Sequence, residues 1–289
     1  MPYPYDWATA PLLFGASYED AAIELEAFRR GSRVFAIAAS GETAQLLAEA
    51  GHRVTAVDVN PTQVQYACAR MAGAARIRGR VERMLSLGRA FIPAAGWSRE
   101  RIGEFLSMEE TGAQVEYWDR VLDTRRFRMA LDALLLFRFA FARHLTDSLP
   151  AAFGAVVRCR LRRCWGNHPN RQNPFARLLL LGDAEDTRRT DGVELVCADA
   201  AEYLESRPAG SFDGFALSNI LDGAPAAYCA RLRSAVRRAA SAGAVIVIRS
   251  LSEPRTGVRE NLAERDRSPL WGVVQVCGAE ERWIPCSTC

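Results

Sequence analysis

The chain has 289 residues, half of them hydrophobic and a quarter charged, with a formal net charge of +3. That is enough chain for one large α/β domain with an insertion, or for two small domains, and too little net charge to point to a nucleic-acid partner. Every basic residue is Arg and none is Lys, for which GC-rich codon usage is a plainer cause than a demand for guanidinium forks.

The N-terminal run MPYPYDW has no charged region followed by an apolar one, so it does not read as a signal peptide. Residues 1–16, rich in Pro and aromatics, are expected to wrap the surface or the mouth of a site. A helix is predicted from Tyr18 to about Arg30, with Ser17 as its N-cap. Glu19 and Asp20 then either balance the helix dipole or serve the site.

Residues 34–39 form a short apolar run that suits a strand buried on both faces of a parallel sheet. Ser40 and Gly41 break it. Residues 43–50 show helical spacing, with Leu46 and Leu47 on one face and Gly51 where a left-handed C-cap belongs. A second strand, 54–57, ends in Asp58, and Asn60 and Pro61 open another helix. A βαβ unit with a small polar first turn and an acid closing its second strand is the arrangement that binds nucleosides: backbone N–H groups approach the ligand and the acid accepts from ribose hydroxyls. Glu42, at the start of the first helix, disfavours a pyrophosphate there. A sulfonium such as S-adenosylmethionine tolerates it.

From about residue 68 to 163 the pattern is almost wholly helical, with breaks at 93–97 and 111–112. Its long piece, 117–163, alternates Tyr117, Trp118, Phe127, Leu131, Leu134 and Phe139 with Arg residues that include Arg138. An insertion of this kind reads as a lid or a substrate wall, and its aromatics are lid core more readily than ligand contacts. The most apolar stretch, 130–142, is interrupted by Asp132 and Arg138 and is too short to span a bilayer. Arg158, Arg160, Arg162 and Arg163 read as a solvated helix face, with an anionic surface as the other reading.

Residues 165–174 look too irregular for any element, and 175–181 with Gly182 read as a helix end or turn. A strand at 193–197 delivers Asp199 and Ala200. Asp199 either lies beside an adenine amine or caps the helix that follows. The next buried strand, 211–217, brings Ser218, Asn219 and Asp222 to its carboxyl end, where open parallel sheets bind ligands. A helix at 225–241 with Tyr228, Leu232 and Val236 inward, a central strand at 244–248, and one or two edge strands beyond 252 complete the chain. Most of the eight cysteines sit in apolar or helical patterns, which suits buried reduced thiols in a cytosolic protein. Only Cys286 and Cys289 have ligand-like spacing, and nothing completes a metal site with them.

Several of these pieces together resemble one family: YED at 18–20, AIAASG at 36–41, AVDVNPTQ at 56–63, YW at 117–118, NPF at 173–175, SFDGFALSNILD at 211–222 and VIRS at 247–250. They are similar to the S-adenosylmethionine-dependent 3-amino-3-carboxypropyl transferases typified by the enzyme that starts betaine-lipid synthesis on diacylglycerol. The resemblance covers 17–70 and 173–252 well and the middle loosely. Asn219 stands where the family often has Asp, and the chain is shorter than the lipid enzymes.

The resemblance implies an α/β fold with a class I methyltransferase-like, Rossmann-like parallel sheet and a helical lid insertion. The segments would be 1–70 for the first half of the α/β domain, 71–172 for the insertion, and 173–289 for the second half. It implies S-adenosylmethionine as donor substrate, cleavage of the sulfonium–γ-carbon bond and release of methylthioadenosine. Tyr18, Ala38, Ser40, Gly41, Asp58, Val59, Asn60, Gln63, Asp199 and Ala200 would hold the donor. Glu19, Ser218, Asn219 and Asp222 would lie at the reacting arm, with Asp222 or Glu19 as base. Tyr117, Trp118 and Asn173 would face the substrate, and Tyr18, Tyr117 and Trp118 could hold the sulfonium by cation–π attraction. The acceptor is left open between a small molecule, a lipid and the donor's own amine, which would close to azetidine-2-carboxylate. A conventional methyltransferase is the competing enzyme, and a helical interaction protein on a degenerate nucleoside fold the competing non-enzyme. A cytoplasmic protein with no transmembrane segment, peripheral membrane contact left open, and no metal, is expected.

Overall fold

A computed structural model describes residues 10–136, 152–183, 189–254, 260–281 and 283. The N-terminal run MPYPYDW, Arg138, Phe139 and the pair Cys286 and Cys289 lie outside the described residues. A six-stranded sheet carries the fold, with strand order β3-β2-β1-β4-β5-β6. The strands are β1 (Arg33–Ile37), β2 (Arg53–Asp58), β3 (Val193–Cys197), β4 (Phe212–Ala216), β5 (Ala240–Ser250) and β6 (Val273–Gly278). The first five run parallel and β6 is antiparallel to β5. The expected parallel sheet is thus a mixed one, mostly parallel, and compatible with a Rossmann-like fold.

Alternation along the strands splits the core in two. On one face Phe35, Val57, Phe215, Ile246 and Ile248 pack under α10 (Ala200–Ser206) and α11 (Ala226–Ala239). Tyr228, Leu232 and Val236 turn inward as the 3.6 period requires. On the other face Val34, Ala36, Val54 and Ala56 meet Ile23 and Phe28 near α1 (Ala22–Ala27), and Ala44 and Leu47 of α2 (Glu42–Glu49). Gly214, in the middle of β4, is where Phe28 lies on the sheet: a Cβ there would stand 2.9 Å from the Phe28 ring.

Between α3 (Pro61–Met71) and β3 the chain builds a helical layer: α4 (Arg80–Ala90), α5 (Arg99–Ser107), α6 (Thr111–Tyr117), a π-turn (Trp118–Leu122), α7 (Arg125–Leu136), α8 (Phe153–Asn167) and α9 (Pro174–Leu181). It has its own core. Trp97 stacks on Phe127 at 4.5 Å, and Trp118 and Trp165 fill the space beside them.

Several expected elements differ. The first helix starts only at Ala22 and ends at Ala27, because Ser17 Oγ accepts from Glu19 N–H and Asp20 from Ala22 N–H, which holds 17–20 as turns. Of the two leucines expected on one face of α2, Leu47 is buried and Leu46 is exposed. The supposed loop at 165–174 contains the end of α8, where Trp165 is fully buried, a 3-10 turn at Asn170–Gln172, and the cap of α9. Residues 174–181 are a full two-turn helix, with Asn173 accepting from Phe175 and Ala176 N–H and Gly182 closing it in the left-handed region. The break foreseen at 111–112 falls just before it, since α6 begins at Thr111.

The arginines of α8 form a solvated face only in part: Arg162 is exposed, Arg158 and Arg163 are half-buried and Arg160 is buried. Arg160 is buried and donates to the carbonyls of Leu270 and Leu251, Arg163 donates to that of Trp271, and Arg162 and Arg158 pair with Asp119 and Asp123. Arg160 and Arg163 fasten the helical layer to the chain around β6, and Arg158 and Arg162 tie α8 to the π-turn within that layer. Of the six described cysteines, Cys164, Cys229 and Cys277 are buried while Cys68, Cys159 and Cys197 are exposed. Among the described residues no helix is long and apolar enough to cross a membrane.

Candidate functional site

The strand order reverses between β1 and β4: β2 and β3 lie to one side, β5 and β6 to the other. Ligands on open α/β sheets sit at the carboxyl ends of strands at such a switch point, and part of the predicted set stands there.

After β1 the backbone turns through left-handed conformations at Ala39 (φ 43°) and Gly41 (φ 88°). Gly41 also lies tight on α3, where a Cβ would meet the Met71 and Ala67 side chains at 3.1 and 3.2 Å. Ala38 continues β1 by donating to the Val57 carbonyl. Asp58, ending β2, accepts from the N–H of Ala39 at 3.2 Å and of Asn60 at 2.9 Å, one per carboxylate oxygen. It clasps the two turns together, and the Val59 N–H acts on the same carboxylate. Burial pushes the Asp58 carboxyl up to about 6. Ser40 is buried, and its hydroxyl has no hydrogen-bond partner among the described residues.

Asn60 caps α3 and donates to the Pro11 carbonyl. Gln63 accepts from the N–H of Leu13 and Phe14 and donates to the carbonyls of Phe14 and Ala39. Both amides are therefore spent on backbone, tying residues 11–14 across the turn after β1. Glu82 continues the fastening by accepting from Gly15, Ala16 and Gly79 N–H, and Ser17 N–H donates to Glu42 at 2.5 Å. Glu42 also pairs with Arg76. This N-terminal strap delivers Tyr18, Glu19 and Asp20. The Tyr18 ring packs with Ala16 and Leu178, and burial with the neighbouring Glu82 carboxylate raises its phenol.

Glu19 reaches the switch point, where Ser218 Oγ donates to its Oε1. Ser218 itself sits at φ 52°, a strained region for a side-chain-bearing residue. Beside it Asn219 donates to Asp222 Oδ2 at 3.2 Å, and Asp222 accepts from Ser250 Oγ at 2.6 Å and Leu251 N–H at 2.8 Å. Burial raises the Asp222 carboxyl, these donors acting against it.

Behind this group lies a charge network that spacing did not reveal. Arg249, on β5, is completely buried. It donates to Glu24, to Asp266 Oδ2 at 2.9 Å and to the Asp20 carbonyl at 2.9 Å. Asp20 in turn is held by Arg267 at 2.6 and 2.7 Å. Burial raises Asp20, and the Arg267 hydrogen bonds outweigh it and hold it below the ordinary value. The signal was present in VIVIRS, where a guanidinium interrupts an apolar strand and so demands buried partners.

Other expected residues make contacts of their own within the fold. Asp199 caps α10 by accepting from Glu202 N–H, with Ala200 buried behind it. The Val59 carbonyl faces the Cys197 thiol. Tyr117 and Trp118 are taken up by the helical layer: Tyr117 stacks on Phe105 and donates to Glu104, and Trp118 is almost wholly buried among Trp97, Phe127 and Trp165. Asn173 spends its amide donor on the Arg267 carbonyl.

Comparison of the chain with protein-family models, with curated proteins and with solved structures returns no match.

Proposed function

We propose that the chain is an S-adenosylmethionine-dependent transferase of the methyltransferase-like class, one that breaks the sulfonium–γ-carbon bond, uses the 3-amino-3-carboxypropyl arm and releases methylthioadenosine. The observation that carries this reading is the pairing, across one switch point, of a nucleoside-type edge with an acidic one. Asp58 and the Ser40–Gly41 turn stand on one side, and Glu19, Ser218, Asn219 and Asp222 on the other. The first set suits a ribose and the second a cationic amino-acid arm. The Ser40 hydroxyl, without a hydrogen-bond partner among the described residues, and the Asp58 carboxylate at the end of β2 fit a nucleoside.

The donor supplies a sulfonium whose three attached carbons are all open to displacement, so selectivity lies in which carbon is aligned with the nucleophile. Asp58 accepts from ribose hydroxyls. Asp222, held by Ser250 and Leu251, fixes the Asn219 amide at the arm. Glu19, backed by Ser218, takes the proton of an incoming hydroxyl or amine. The helical layer closes over the edge as a lid, and Tyr117 and Trp118 serve it as core.

Incubation of the purified chain with S-adenosylmethionine tests the reading. Methylthioadenosine, identified by mass spectrometry with and without cell extract, is the expected product. S-adenosylhomocysteine alone, formed only with an added acceptor, would make the chain a conventional methyltransferase. No rise in melting temperature with the donor would favour a binding protein without that ligand.

A further inference from the structure

The carboxylates behind the switch point outnumber the guanidinium groups that serve them. Arg249 gives its Nε to Asp266 and its two terminal nitrogens to Glu24, with Nη2 also on the Asp20 carbonyl. The nearest oxygen of Glu19 stands 3.8 Å from Nη1, beyond hydrogen-bond reach. Arg267 is committed to Asp20. Among the described residues Glu19, Glu24 and Asp266 thus share one cation. Were all three ionised, two negative charges would stand in excess where solvent hardly reaches, and desolvation costs several kcal/mol per unpaired ion.

Neutrality therefore calls for protons, and the hydrogen bonding selects where one goes. Both oxygens of Glu24 are taken by Arg249. Asp266 accepts from Arg249 on one oxygen and from Ser268 N–H on the other. Among the described residues Glu19 has only the Ser218 hydroxyl within hydrogen-bond reach, and that hydroxyl can turn and accept as readily as it donates. A proton on Glu19 costs no N–H···O bond.

Resting on the donor reading above, we propose that Glu19 is a neutral carboxylic acid in the ligand-free protein, and that seating a cationic ligand at the switch point displaces its proton to solvent. The ionised carboxylate then meets the positive charge of the ligand, and the base beside Ser218 exists only once the donor is bound. Among the described residues the groups facing Glu19 are Ser218 after β4, Arg249 on β5 and Glu24 on α1, with Asp266 on the far side of Arg249. Burial and the Glu24 charge raise the Glu19 carboxyl, against Arg249 and Ser218.

Two measurements on the full chain test this. In a carbon-13 NMR titration of carboxyl-labelled, ligand-free protein, with Glu19 assigned by the signal lost in Glu19→Gln, a neutral Glu19 at neutral pH supports the proposal. An ionised one overturns it. Calorimetric titration with S-adenosylmethionine in phosphate and in Tris gives the proton count from the dependence of heat on buffer, expected close to about one released. Glu19→Gln should bind the donor and release almost none. Binding without release in the wild type overturns the displacement step, as does release that persists in the variant, which would then come from the ligand's own ammonium. Absence of binding in both removes the donor reading and displacement with it, while the NMR titration still decides the state of Glu19.

Discussion

Arg249 and Glu24 form a two-point ion pair in which neither side chain has any contact with solvent. One residue lies on β5 and the other on α1, so the pair fastens the helix that follows the N-terminal strap to the sheet beneath it. Removing the cation leaves two carboxylates buried without their partner. Arg249→Met should therefore cost about 3–5 kcal/mol in chemical denaturation. Adding Glu24→Gln should return part of that loss, because the uncompensated charge goes with it. Additive losses would show that packing, not charge, is what Arg249 provides.

Asp58 couples the site to pH. Its carboxyl is raised by burial from an ordinary 3.8 to about 6, so the folded protein binds a proton that the unfolded chain has already released. This contribution is fully present below the ordinary value and is lost as pH rises through the folded one. The stability gradient between them is negative, at most about 1.4 kcal/mol per pH unit. Asp58→Asn should flatten that gradient in denaturation series across the window. Affinity for S-adenosylmethionine should fall below about pH 6 in the wild type, because a protonated Asp58 accepts less well. In Asp58→Ala it should weaken by about 1–3 kcal/mol.

Trp118 separates a place in the core of the helical layer from a ligand contact. Its ring is almost wholly buried and meets Trp97, Phe127 and Trp165. Trp118→Ala should cost about 3–5 kcal/mol of stability. Donor affinity, measured where the variant is still folded, should stay unchanged. A loss of affinity without a loss of stability would return Trp118 to the substrate side.

The halves of the fold were unequally legible. The strands β1 to β5 stood out because each is a short apolar run closed by Gly, Asp or Ser, and Asp58, Ser218 and Asp222 fall at their carboxyl ends by chain order alone. Register and handedness then bring them together. What lay hidden depends on partners distant in sequence. Arg249 meets Glu24 across 225 residues, and Gln63 is consumed by a strap 49 residues earlier, which no local pattern states. Asp199 was legible only as a pair of readings, cap or ligand contact, and the cap is what its side chain does. In the helical layer periodicity announced helices but not their ends, since those are fixed by caps such as Asn173 and by a π-turn with no composition of its own.

Gly15 is the point at which the strap lies closest to the molecule beneath it. A Cβ there would stand 2.1 Å from the Ile77 carbonyl oxygen and 3.0 Å from the Gly79 nitrogen. Both are backbone atoms, so nothing flexible can yield. The same spot carries the Glu82 carboxylate, which accepts from Gly15, Ala16 and Gly79 and so joins strap and α4 through one side chain. Gly15→Ala should push the strap off that carboxylate at a cost of about 1–3 kcal/mol. The amides of residues 13–17 should exchange faster with solvent. Glu19 is four residues further along the same segment, so its hold on Ser218 should loosen with it. Gly103→Ala is the control, because that glycine lies inside α5 with no atom within 4 Å of the position a Cβ would take. There the added methyl should stabilise by about 0.5–1 kcal/mol. Equal effects at the two glycines, in size and sign, would mean that the strap is not seated where the Gly15 contact requires.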